Sequence, residues 1–152
     1  MPLTSIPDEF KRTVCACQQC TACCKRQPGP LAPGDFERIQ AHLGASDDEM
    51  RKLFVASPGS MVKDSLGDVF RVGTITPRYR KGRCVFLNEQ DRCEIHAVAP
   101  FGCAYFDTHM GWMRGQQLSS WLAGEQHKSE AYKQLRDTLP YTNHHKPNRY
   151  TL

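Results

Sequence analysis

Residues 15–24 read Cys15-Ala16-Cys17-Gln18-Gln19-Cys20-Thr21-Ala22-Cys23-Cys24, which places five of the eight cysteines within ten positions. The frame Cys17-x-x-Cys20-x-x-Cys23-Cys24 decides the reading. A two-residue gap lets both sulfurs of a Cys-x-x-Cys turn reach one metal, while the intervening N–H groups hydrogen-bond to the thiolates. Zinc takes four such ligands in a tetrahedron, with sulfur at about 2.3 Å. The triple Cys17, Cys20, Cys23 also matches the opening of the ferredoxin ligand run, although the fourth ferredoxin cysteine and its proline do not follow at the expected place. Zinc and an iron–sulfur cluster are therefore rival readings.

Three more cysteines come much later: Cys84, Cys93 and Cys103. A lone cysteine is ordinarily a small buried apolar residue. Five in ten positions argue for ligation instead. The ligand candidates are Cys17, Cys20, Cys23, Cys24, Cys84, Cys93 and Cys103, too many for one mononuclear site. Adjacent side chains diverge in extended and helical backbone, so Cys23 and Cys24 either face two metal positions or divide into one ligand and one packing residue. A polynuclear centre or two neighbouring sites follows. Cys15 lies outside the frame and reads equally as ligand or spare thiol.

The start of the chain, MPLTSIPDEFKRTV, has no basic opening, no apolar run and no small-residue cleavage site. No stretch approaches the roughly 20 apolar residues of a membrane span. The expectation is a cytoplasmic protein with reduced thiols, whose cysteines serve as ligands rather than bridges. Length, 152 residues, suits one domain with an appendage. Hydrophobic residues make up only 39% and mean hydropathy is −0.56, so a metal centre would add folding energy that a thin core lacks. The formal charge of +4 treats every thiol as neutral. Ligating thiolates offset it, and nucleic acid is not an expected partner.

Around the cysteines the pattern is mixed α+β. A Pro/Gly loop, KRQPGPLAPG, precedes a helix in DFERIQAHL with Phe36, Ile39, Gln40 and Leu43 on one face; Pro33 suits its first turn and Gly44 its stop. Ser46 to Glu49 is a capping box opening a second helix, with Met50, Leu53 and Phe54 inward and Ser57-Pro58-Gly59 as its breaker. MVKDSLGDVFRVGTIT reads as a β-hairpin around Gly67-Asp68. GRCVFLNEQDRCEI reads as a second, with Cys84 on one arm and Cys93 on the other. HAVAPFGC is expected to form one helical turn ended by Pro100 and Gly102, delivering Cys103. Two apolar stripes follow, Leu118–Trp121–Leu122 and Tyr132–Leu135–Leu139, separated by a break near Gly124. The expected division is a lead-in at 1–14, a cysteine-cluster domain at 15–107, and a helical extension with a polar tail at 108–152. Those C-terminal helices are the candidate surface for a protein partner, and Trp112, Trp121 and Tyr132 read by default as core.

His96 follows Cys93 by three residues. It reads either as a fourth ligand or, with thiols already sufficient, as a core histidine supporting the site. His144-His145 and the basic run Arg78 to Arg83 read as solvated surface. No nucleotide-binding glycine loop, no H-E-x-x-H and no Ser/His/Asp set is present, so no catalytic motif is identified.

The sequence resembles the CxxCxxCC cysteine-cluster family, proposed zinc- or iron-chelating domains. The matching pieces are Cys17 to Cys24, the Pro33-initiated helix ending His42-Leu43-Gly44, Cys84-Val85-Phe86-Leu87, Cys93-Glu94-Ile95-His96, then Pro100, Cys103 and Phe106, covering roughly residues 15–107. Family members usually carry Arg before that proline and after that last cysteine, where this chain has Ala99 and Ala104. A related cluster occurs in flagellin lysine methylases. The resemblance implies metal binding and names no reaction. The resulting expectation is a small, irregular, cysteine-rich α+β protein that holds zinc or an iron–sulfur cluster in a structural or metal-handling role. The alternatives are an iron–sulfur or iron-dependent redox enzyme and a zinc-stabilised interaction module.

Overall fold

The computed structural model describes residues 6–8, 10, 29–63, 66–106 and 111–142. Cys15, Cys17, Cys20, Cys23, Cys24 and the tail pair His144-His145 lie outside the described residues. Among the described residues the architecture is α+β: five α-helices with two small antiparallel sheets. Helix α1 spans Asp35–Leu43, and Phe36 and Ile39 point into the core. It ends where the local chemistry says it should. Gly44 adopts the left-handed conformation (φ 62°), with Gly44 N–H bonded to Ala41 O and Ala45 N–H to Gln40 O, a Schellman stop. Ser46 caps α2 (Asp47–Leu53) by accepting from Glu49 N–H at 3.2 Å, and Met50 is fully buried.

The chain leaves α2 earlier than its pattern suggests. Strand β1 (Phe54–Lys63) begins at Phe54 and pairs antiparallel with β2 (Val69–Pro77), from Phe54 opposite Pro77 to Lys63 opposite Val69. Phe54 is fully buried between the rings of Phe36 and Phe86, at 5.2 and 5.5 Å. Ser57-Pro58-Gly59 therefore does not break a helix. It sits at a β-bulge, where the register shifts between Ser57 and Ser60. Gly59 has φ 72°, and a side chain there would strike the Val72 carbonyl.

The second hairpin also differs from expectation. β3 (Tyr79–Arg80) pairs with β4 (Arg83–Cys84) across a tight turn with positive φ at Lys81 and Gly82. The ladder partner of Cys84 is thus Tyr79, while Cys93 forms one isolated bridge with Leu87. Arg80 and Lys81 are exposed at this turn, as the basic run suggested. Arg83 bonds Asp91 at 2.6 Å and the Asn88 carbonyl at 2.7 Å, closing the intervening loop.

A 3-10 turn (His96–Val98) leads into α3 (Phe101–Tyr105), which Pro100 opens rather than ends. Gly102 lies inside α3. Its missing side chain is required by a crossing: Gly102 N–H donates to Pro30 O at 2.9 Å, and a Cβ on Gly102 would overlap the Pro30 ring. The buried Asp35 carboxylate locks the same crossing. One oxygen accepts from Ala32 N–H and Phe101 N–H, both at 2.8 Å, and the other from Arg38 at 2.8 Å. It thereby satisfies an otherwise orphaned N–H at the start of α3.

Helix α4 (Trp112–Lys128) runs unbroken through Gly124, and Ser129, not Gly124, divides it from α5 (Glu130–Asp137). No neighbour crowds Gly124, so the helix tolerates it at only a conformational cost. Beyond α5, residues 140–142 pair with β1 through Ala56 N–H to Pro140 O and Thr142 N–H to Ala56 O. One apolar cluster centres on Phe54 and includes Tyr132 and Leu139; a second centres on Phe101 and includes Phe10, Leu118 and Leu122. Trp121 packs on the second cluster, whereas Trp112 is 76% exposed and is not a core residue. Among the described residues, no helix is long and apolar enough to cross a membrane.

Two pairs of substitutions test this framework by urea unfolding. Gly102→Ala should destabilise by about 3 kcal/mol through overpacking, whereas Gly124→Ala should stabilise by roughly 0.5–1 kcal/mol. Equal effects at the two glycines would contradict the crossing. Asp35→Asn turns an amide toward Arg38 and weakens charge-assisted bonds, so it should cost about 2 kcal/mol; Asp48→Asn, an exposed partner of Arg51, should change stability by less than about 0.5 kcal/mol.

Candidate metal centre

The described residues that flank the N-terminal cysteines, Phe10 and Gly29, are both held against the body of the protein. Upstream, Phe10 is buried in the Phe101 cluster, meets Trp121 edge-on at 5.8 Å and carries Arg114 at 5.0 Å above its ring. Downstream, Gly29 sits on α3. Its N–H donates to Cys103 Sγ at 3.3 Å, and a Cβ on Gly29 would overlap the Cys103 N and the Gly102 carbonyl carbon. Gly29 thus lies against α3, the helix that delivers Cys103, while Phe10 lies against α4 in the cluster that Phe101 of α3 also joins.

The strap formed by Gly29, Pro30 and Leu31 is held at each peptide. Pro30 O accepts from Gly102 N–H, and Leu31 N–H donates to Ile75 O on β2 at 2.9 Å. Leu31 O accepts from Tyr132 Oη at 2.8 Å and Gln126 Nε2 at 3.0 Å. Ile75 N–H in turn donates to Tyr132 Oη, and Thr74 Oγ1 lies 2.7 Å from Gln126 Nε2. Every polar group of this buried set has a partner. Burial pushes the Tyr132 hydroxyl well above its ordinary range, against the hydrogen bonds from Thr74 and Ile75. It remains a neutral donor at any physiological pH.

The three described cysteines occupy different surroundings. Cys103 is half-buried on α3 beside Gly29. Cys84 is buried among Phe86, Leu87 and the rest of the Phe54 cluster, and half-buried Cys93 packs against that cluster. Burial raises the Cys93 thiol above its ordinary range, a backbone hydrogen bond at Ile95 opposes the rise, and the Glu94 carboxylate adds to it. His96 is exposed on the 3-10 turn. Among the described residues, no three His, Cys, Asp or Glu side chains gather into a metal site. The structure thus places Cys84 and Cys93 at the Phe54 cluster and Cys103 on α3.

The donor chemistry fits a thiophilic metal. The Gly29 N–H directed at Cys103 Sγ is the kind of donor that a metal-bound sulfur accepts, and at Cys93 a backbone hydrogen bond at Ile95 opposes, without overcoming, the rise that burial causes. A thiol buried in apolar surroundings is inert as a nucleophile, and a bound cation would take the place of its proton. Several residues that shape this region carry no signal in the sequence pattern. Gly29 reads as loop punctuation, Asp35 as an ordinary first-turn acid, and Gln126 and Tyr132 as helix-surface and stripe residues. Only the crossing assembles them.

A family model described as "Putative zinc- or iron-chelating domain" matches residues 16–138, from the cysteine segment through α5. No curated protein and no solved structure matches the chain. The match covers most of the chain, including the C-terminal helices that clamp the strap, and the chain belongs to the CxxCxxCC family.

Proposed function

We propose that this protein binds zinc or an iron–sulfur cluster through Cys17, Cys20, Cys23, Cys24, Cys84, Cys93 and Cys103, in a structural or metal-handling role in the cytoplasm. The observation that carries the reading is the double anchoring of the cysteine segment. Gly29 after it rests against α3, which bears Cys103, and Phe10 before it packs on Trp121 of α4 in the cluster that includes Phe101 of α3. Cys24 precedes Gly29 by five residues, so covalent reach alone keeps it within roughly 18 Å of that anchor. The bound group would supply the cross-link between the two ends of the sequence. The chain's own part is to present sulfur donors, direct N–H groups at them and exclude water from Cys84.

Elemental analysis and visible spectroscopy after anaerobic purification test this. A brown preparation containing iron and acid-labile sulfide identifies a cluster, and a colourless one with stoichiometric zinc identifies zinc. Metal well below one equivalent, with all eight thiols titrating in native buffer, would overturn the proposal. The ligand set has its own test. Cys93→Ser and Cys103→Ser should each lower metal content and the unfolding temperature, while Cys15→Ser should do much less. Structural zinc contributes apparent free energies of ~10–16 kcal/mol in small finger peptides, so loss of a ligand should be plain in both readouts. Full metal retention in both Cys93→Ser and Cys103→Ser would show that the N-terminal cluster needs neither.

A further inference from the structure

We infer that Gln126 and Tyr132 are positioning residues for the metal centre, acting through the Leu31 carbonyl on the strap that sets Gly29 against Cys103. This rests on the metal-binding reading above. Both side chains converge on one acceptor, Leu31 O, from α4 and α5. That acceptor is separated in sequence by 95 and 101 residues from its donors. Two residues earlier in the chain, Gly29 N–H meets Cys103 Sγ. Pro30 between them is fixed to Gly102. Three consecutive residues therefore link the C-terminal helices to a candidate ligand with no flexible joint between.

The geometry is one that a side-chain clamp can tune. Without Tyr132 Oη and Gln126 Nε2, Leu31 O would lose both of its side-chain donors, and Ile75 N–H would lose the hydroxyl it meets at 2.8 Å. The strap would be free to shift toward other partners, carrying Gly29 N–H away from sulfur. Residues that orient metal ligands typically alter metal affinity 10- to 100-fold when replaced. Because this clamp acts through two intervening peptides, the lower end of that range applies. None of these residues is itself a ligand, so the effect is on position and lifetime, not on the donor set.

The experiment compares Tyr132→Phe and the double variant Tyr132→Phe/Gln126→Met with Met50→Ala, which opens the same apolar cluster from α2 without touching the strap's hydrogen bonds. Two rates are measured on the full chain below the onset of unfolding: release of bound metal to a chelator, and mass-resolved alkylation of Cys103 before and after the metal is stripped. The clamp variants should release metal, and alkylate Cys103 in the metal-loaded protein, about tenfold faster, while Met50→Ala, at a similar loss of melting temperature, should stay within about twofold of the parent in both rates. Clamp variants that match Met50→Ala would overturn the inference, since a merely structural role predicts that result. If the double variant does not fold, Tyr132→Phe alone retains the Gln126 bond and decides the matter. Should the parent hold no metal while Cys103 alkylation still departs from the parent rate in the clamp variants alone, the metal reading fails, and with it the inference as stated, although the clamp still sets Gly29 against Cys103. Metal held normally with unchanged Cys103 reactivity leaves the metal reading standing and overturns the inference.

Discussion

The crossing of residues 29–31 over α3 is the constraint on which the rest of the molecule depends. Neither Gly29 nor Gly102 has room for a Cβ, because each backbone lies against the other's. Close approach of this kind leaves no side chains to absorb error, so the register of the strap has to be fixed by hydrogen bonds. It is fixed on three sides: by α3 at Pro30, by β2 at Leu31 N–H, and by α4 and α5 at Leu31 O. The Asp35 carboxylate adds a fourth hold by joining Ala32 to Phe101. The two apolar clusters then fill the space on either side of a backbone lattice that is already set.

Burying so many polar groups near one point would be costly if any were left unpaired, by about 1–3 kcal/mol each. The arrangement avoids that cost by exchange among neutral donors and acceptors. Tyr132 stays protonated because burial opposes its ionisation, and Gln126 and Thr74 carry no charge. The charged pair in this region, Asp35 with Arg38, sits where Arg38 reaches solvent and also meets Ala99 O. Polar groups fully satisfied in this way specify one arrangement more sharply than apolar packing does. That would suit the metal centre proposed above, whose sulfur donors would have to meet within tenths of an ångström.

Local chemistry was the legible part of the sequence. Gly44 as a helix stop, Ser46 as the cap of α2 accepting from Glu49 N–H, and a hairpin around Gly67 each rest on residues close in sequence, and each is present. Where the reading failed, a distant partner had won. Phe54 fits a helical face, but the rings of Phe36 and Phe86 receive it from the start of a strand. Gly124 looked like a break because glycine is a poor helix former, yet the surrounding helix is long enough to carry it. Pro100 and Gly102 looked like an end to a helical turn; in fact one starts α3 and the other gives Pro30 its place. Among the candidate site residues, spacing singles out the cysteines as proposed ligands, whereas Gly29, Asp35, Gln126 and Tyr132 have roles that exist only once the crossing forms.

The position of the C-terminal helices follows from the same physics. Their apolar stripes, Leu118 with Leu122 and Tyr132 with Leu139, cover the two clusters that the first hundred residues leave open. A chain with 39% hydrophobic residues has little apolar surface to spare, so using α4 and α5 as cover also commits them to the strap they touch. Closing a long loop costs little more than closing a short one, since the entropy grows only logarithmically with length. What matters is where the closure is anchored. Gly29 lies against α3 through backbone contacts, and Phe10 lies against α4 in the apolar cluster that Phe101 of α3 joins. A metal bound there would find its distant ligands already tethered, and less of its binding free energy would go into gathering the chain. Pre-anchoring of this kind lets a thin core and a metal centre stabilise each other: each removes part of the entropy that the other would otherwise have to overcome.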